Sequence, residues 1–102
     1  MMWFDNHRQR PAGNIIKRIN IFGKRFAVWK SGNSMFSFAL MGKQERRGRA
    51  HLLSALRWLV RHHYLSRSVR LAQVNFGWEI AYTGGRARDF ALTRYSLRTG
   101  LR

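Results

Sequence analysis

The 102-residue chain contains no cysteine, one proline and only four carboxylates, Asp5, Glu45, Glu79 and Asp89. Without cysteine there is no disulfide, no thiol nucleophile and no thiolate metal site, so stability has to come from packing. The carboxylates stand singly, which leaves no pair for glycoside hydrolysis or for a two-metal phosphodiesterase centre. Phosphate-cradling loops are missing as well, because the glycines at 42, 48, 77, 84 and 85 fit neither a P-loop nor a dinucleotide fingerprint. Long apolar runs are also lacking. The longest stretch without a charge, Ser31 to Gly42, has twelve residues, well short of the roughly 20 needed to cross a bilayer. No apolar run follows Asp5, His7, Arg8 and Arg10, so the N-terminus does not read as a secretory signal and a cytoplasmic location is expected. His51 and His62 lie eleven residues apart, about 16 Å along a helix, and cannot share a metal ion. His62 and His63 are adjacent and point to different sides, one expected packed and one exposed. Neither a metal nor a cofactor is expected.

Cations dominate what is present: 20 Lys plus Arg give a formal charge of +16, a strong electrostatic preference for polyanions. Sixteen of the twenty are arginine, whose planar guanidinium forks onto phosphate oxygens and stacks on bases. A GC-rich genome would enrich arginine without functional cause, so placement carries more weight than number. Apolar residues make up 45 % of the chain, with Trp3, Trp29, Trp58 and Trp78 among them, too much for a disordered basic tail. The length allows one small domain, expected over 14–98, preceded by a flexible arm at 1–13 and followed by a basic end at 99–102.

From Ile15 to Met41 the apolar spacing has a short period and is broken by Gly23 and by Ser31-Gly32-Asn33. This predicts strands at 14–22, 25–30 and 34–41. Phe26 and Val28 share one face of the second strand and Phe36, Phe38 and Leu40 one face of the third. From Arg49 to about Leu65 the spacing becomes helical, with Leu52, Leu56, Leu59, Val60 and His63 on one arc. Arg57 and Arg61 stand four residues apart beside it, while His51, Trp58 and His62 form a strip on the other flank. Val69 to Phe76 reads as a strand, although Ser66-Arg67-Ser68 also suits a short capped helix. Trp78, Ile80 and Tyr82 alternate with polar or small residues, Gly84-Gly85 supplies a turn, and Phe90 to Leu97 offers a returning strand. The expected class is therefore α+β: a three-stranded antiparallel meander, one central amphipathic helix and a C-terminal β-hairpin region.

The candidate nucleic-acid contacts are basic residues interleaved with aromatics: Arg25, Trp29 and Lys30 in the meander, Arg46, Arg47, Arg49, Arg57, Trp58 and Arg61 around the helix, and Arg86, Arg88 and Arg94 in the final hairpin. Arginines anchor phosphates and exposed rings stack on unpaired bases. The densest run, Arg46-Arg47-Gly48-Arg49, opens the helix, where backbone N–H groups favour anions and the helix dipole disfavours cations. The three-strand-then-helix order over 14–65 is similar to some integrase arm-binding and plant transcription-factor domains, which implies DNA reading by the sheet. Gly77-Trp78-Glu79-Ile80 with Arg94-Tyr95-Ser96-Leu97 resembles the hairpin of certain phage winged-helix proteins. No family follows from either likeness.

The leading expectation is a non-enzymatic nucleic-acid-binding protein, with DNA slightly ahead of RNA. A second reading is a small phage- or plasmid-type protein that modulates a nucleic-acid-processing complex, in the manner of anti-CRISPR proteins, through an acidic protein partner. A third is a metal-independent ribonuclease, since the chain is similar in size and charge to bacterial toxins that cleave messenger RNA, and needs only a proton acceptor, a donor and cations.

Overall fold

In the computed structural model, which describes residues 1–80 and 83–99, the chain divides into two units, Met1–Val69 and a second beginning at Arg70. The first is a small α+β domain. Its strands are β1 (Met2–Trp3), β2 (Asn14–Ile21), β3 (Lys24–Ser31) and β4 (Met35–Leu40), followed by helix α1 (Leu52–Arg61). They form one mixed sheet in the order β1-β4-β3-β2, with β2-β3-β4 as an antiparallel meander and β1 parallel to β4.

The meander follows from alternation and turn chemistry. Ile21 pairs with Lys24, leaving Phe22 (φ 46°) and Gly23 (φ 79°) as a two-residue turn with both residues left-handed, the geometry that matches strand twist. Ser31 pairs with Met35 across Gly32-Asn33-Ser34, and Lys30 Nζ donates to the Gly32 carbonyl at 2.6 Å. A bulge between Ile15 and Lys17 breaks strict alternation in β2. It leaves Ile15 exposed opposite Trp29 while Ile16, Ile19 and Ile21 all pack on the core.

Residues 1–13, expected as an arm, are tied to the sheet. The Met1 ammonium donates to the Phe36 carbonyl at 2.7 Å, and the Phe38 N–H donates to Met1 O at 2.8 Å. Phe4 sets its ring at 84° to Phe26, 5.7 Å away. Because β1 and β2 lie at opposite edges, the link between them spans three strand spacings, about 14 Å. Asn6 closes a local turn on Gln9 within that link, and Pro11 is buried.

The core joins Ile19, Ile21, Phe26, Val28 and Phe38 of the sheet to Ala55, Trp58 and Leu59 of α1. The buried arc of the helix is thus centred on Ala55, Trp58 and Leu59, while Leu52, Leu56 and Val60 are half-buried. The indole explains the rotation: it is the largest side chain on the helix and meets Phe38 edge-on at 6.1 Å. The helix is also shorter than 49–65. It begins after His51, which makes no side-chain cap bond. It ends in a Schellman motif: Tyr64 N–H donates to Leu59 O (2.9 Å) and His63 N–H to Val60 O (3.1 Å). His63 takes the left-handed position (φ 63°) that glycine usually fills and is exposed, off the apolar arc.

Past Val69 the described residues form no strand or helix, so the strands expected at 69–76 and 90–97 are absent. The chain does turn at the glycine pair, where Arg86 N–H donates to Thr83 O at 3.4 Å. Phe76 meets Tyr95 at 5.5 Å, and Trp78 meets Phe90 at 5.4 Å. Ring contacts therefore replace a backbone ladder. Alternation specifies an apolar face but supplies no partner strand, and Phe76, Trp78, Phe90 and Tyr95 all remain exposed. Ala81 and Tyr82 of the expected hairpin lie outside the described residues. Among the described residues no helix is long and apolar enough to cross a membrane.

Candidate nucleic-acid interface

Three segments meet at the end of the sheet where β2 turns into β3: the turn itself, the loop from Met41 to Ala50, and the start of α1. Met41 N–H donates to Arg25 O at 2.9 Å, which starts the loop beside β3, and Glu45 N–H donates to Phe4 O at 2.8 Å, which holds its middle. Lys24 Nζ reaches back to Glu45 Oε2 at 2.6 Å and lies 5.6 Å from the Phe4 ring centroid. Gly48, at φ 141°, passes over this ion pair: a Cβ there would sit 3.1 Å from Glu45 Oε2 and 3.2 Å from Lys24 Nζ. The close approach fixes the backbone between Arg47 and Arg49 at this end of the domain. His51 then stacks on Phe22, centroids 3.9 Å apart and planes at 13°.

The electrostatics follow from who is paired. Asp5 takes weak contacts from Arg46 Nε (3.4 Å) and His7 Nε2 (3.5 Å), and Glu45 takes Lys24. The Arg46 side chain stays 80 % exposed. Arg25, Arg47, Arg49, Arg57 and Arg61 are exposed and make no ion pair among the described residues. Six cations (Lys24, Arg25, Lys43, Arg46, Arg47, Arg49) thus share this end with two carboxylates. Arg57 and Arg61 continue the positive strip down the outer flank of α1, reaching about 14 Å from its first residue at 1.5 Å per residue.

Comparison with protein-family models, with curated proteins and with solved structures finds no match.

The structure brings Arg25, Arg46, Arg47 and Arg49 together and places Arg57 and Arg61 on the adjoining helix, but six candidates fall elsewhere or serve differently. Trp58 is only 9 % exposed, covered by stacking from His62 and Tyr64 at 4.3 and 5.9 Å. It belongs to the core. Trp29 and Lys30 sit toward the far end of β3, five and six residues from Lys24, roughly 16–20 Å away at 3.3 Å per residue. Trp29 is half-buried opposite Ile15 and Ser37, and Lys30 closes the β3–β4 loop. Arg86, Arg88 and Arg94 are exposed residues of the second unit. One exposed side chain at this end escaped the sequence pattern: Phe22, 69 % exposed at the turn tip. The signal was its position, since a two-residue turn between alternating runs ordinarily carries Asn or Asp before its glycine.

The histidines have local roles. His62 Nδ1–H donates to Trp58 O at 3.0 Å while its ring lies on the indole. Among the described residues no three His, Cys, Asp or Glu side chains are grouped to hold a metal. A hollow of about 320 Å³ opens between Met1, Asn33, Phe36, Leu56, Tyr64 and Leu65.

Proposed function

We propose that this protein binds nucleic acid, without chemistry, through the cationic end of its first unit: Arg25, Arg46, Arg47 and Arg49, with Arg57 and Arg61 extending the contact along α1. One observation carries the reading. Five exposed arginines lack an ion-pair partner among the described residues, while the two nearby carboxylates are engaged by Lys24, Arg46 and His7. Like charges gathered at this density repel, and a line of phosphates relieves that repulsion while releasing condensed counterions. DNA stands ahead of RNA, and the cytoplasm is where such a partner would be met. Arg86, Arg88 and Arg94, in the second unit, are a separate exposed cationic set that would offer phosphate contacts of its own.

The test is a salt-titrated anisotropy assay on labelled DNA and RNA, comparing the parent with an R46Q/R47Q/R49Q variant. The variant is expected to bind more weakly, and its slope of log K against log salt on duplex to fall by up to about 2.7 if each arginine holds one phosphate. Its unfolding midpoint should stay at the parental value, because none of the three is buried. Unchanged affinity and slope would remove the site from this end of the molecule. A parent that ignores every oligonucleotide at low ionic strength, yet captures an acidic protein, would establish the partner-protein reading instead.

A further inference from the structure

The nucleic-acid reading leaves open which form of the polymer is preferred, and the turn tip bears on that. Among the described residues Phe22 is the most exposed of the large apolar side chains at 69 %. The His51 imidazole lies parallel to its ring, centroids 3.9 Å apart. His51 thereby covers one face of the ring, and among the described residues no other ring contact is made to it. The surroundings are cationic. Lys24 and Arg25 follow two and three residues later on β3, and Gly48 packs on the Lys24–Glu45 pair with Arg47 and Arg49 on either side.

An aromatic face backed by a second ring, on the end of the unit that carries Arg25, Arg47 and Arg49, is an arrangement that can take a base on the ring and flanking phosphates on the arginines. Within a duplex the bases already stack on one another and offer no free face to a side chain. We propose that the Phe22–His51 pair is a stacking platform for one unpaired base, so that the cationic end prefers single-stranded to double-stranded nucleic acid. The inference rests on the nucleic-acid reading above but can fail without it. Phe22 would be the contacting residue, and His51 would position it.

Phe22→Asn removes the ring while placing at a left-handed position a residue that suits it, so the turn and the fold are kept. Binding to a short oligo(dT) and to a duplex of equal length is measured for parent, Phe22→Asn and Phe22→Trp. Phe22→Asn is expected to lose about 5- to 150-fold in oligo(dT) affinity, the effect of one lost base–aromatic stack, with duplex affinity and salt slope unchanged. Phe22→Trp should keep the oligo(dT) affinity, and oligo(dT) should quench its emission beyond any quenching of the parent. Parental oligo(dT) affinity in Phe22→Asn would overturn the platform and leave the arginine site standing. Equal losses on single strand and duplex would also overturn it, since that marks a general effect on the turn or the field. Absence of any oligonucleotide binding by the parent would remove both proposals.

Discussion

Trp58 separates the two roles an indole could take in a basic protein, and its replacement can be worked through quantitatively. The ring is 9 % exposed, edge-on to Phe38, and covered by His62 and Tyr64. Truncation to alanine removes the one aromatic side chain that α1 contributes to the core, for which about 3–5 kcal/mol is typical. A unit spanning Met1–Val69 has a total stability of roughly 3–10 kcal/mol at about 0.05–0.15 kcal/mol per residue. Trp58→Ala should therefore remove a third or more of it, and Trp58→Phe, which keeps a ring against Phe38, a smaller part. Urea unfolding followed by far-ultraviolet circular dichroism gives both values, and anisotropy in the absence of urea gives the affinity of the folded fraction. Trp58→Phe should bind oligonucleotide with parental affinity despite its lower midpoint. A Trp58→Ala variant with the parental midpoint but weakened binding would refute the core placement and restore the indole to the surface.

Two further substitutions test how the sheet is closed. Gly13 (φ 88°) has no space for a side chain, since a Cβ would stand 1.9 Å from the Lys30 carbonyl oxygen. Gly13→Ala should lower the urea midpoint by more than about 1 kcal/mol in stability, and a parental midpoint would show that the approach is not needed. Removing residues 1–4 should leave the Phe38 N–H without its Met1 acceptor and Phe26 without its ring partner. Hydrogen exchange should then accelerate at Phe38 while the β2–β3 amides stay protected; unchanged exchange at Phe38 would argue against β1.

The meander was legible because period-two alternation and glycine punctuation act within a few residues, which is the range a sequence pattern covers. The strand β1 was not, because two residues carry no period; it exists because the open edge of β4 offers donors and acceptors to whatever chain lies beside it. The helix was legible in place but not in rotation. Counting apolar letters put Leu52 and Leu56 at the centre of the buried arc, whereas the larger indole of Trp58 takes the position facing Phe38. Its C-terminal boundary slipped because His63 is treated by any propensity as an ordinary helical residue, while here it occupies the left-handed cap position. Val69 to Phe76 read as a strand, yet none forms there among the described residues, because a strand needs a partner as well as a face.

The candidate site divides along the same line. Arg46, Arg47 and Arg49 stood out as a run, but the contacts that arrange them join residues 21 and 41 positions apart, Lys24 with Glu45 and Asp5 with Arg46, and no local pattern reports those. Once they are known, the cations fall into two kinds. Lys24 is two-thirds buried, bonded to Glu45 and packed near Phe4, so it belongs to the scaffold that shapes the loop. Arg47 and Arg49 touch neither carboxylate, lie on exposed backbone and add only repulsion to the free protein. A surface selected for folding alone would place acidic residues among them, as both signs interspersed serve solubility better. The scaffold uses its two local carboxylates on Lys24, Arg46 and His7 instead, and the remaining positive field faces outward beside the exposed ring of Phe22. On the proposed reading, a phosphate polymer would answer the unpaired, outward cations of this end, with Arg46 standing between the two kinds because its contact with Asp5 is long and its side chain stays exposed.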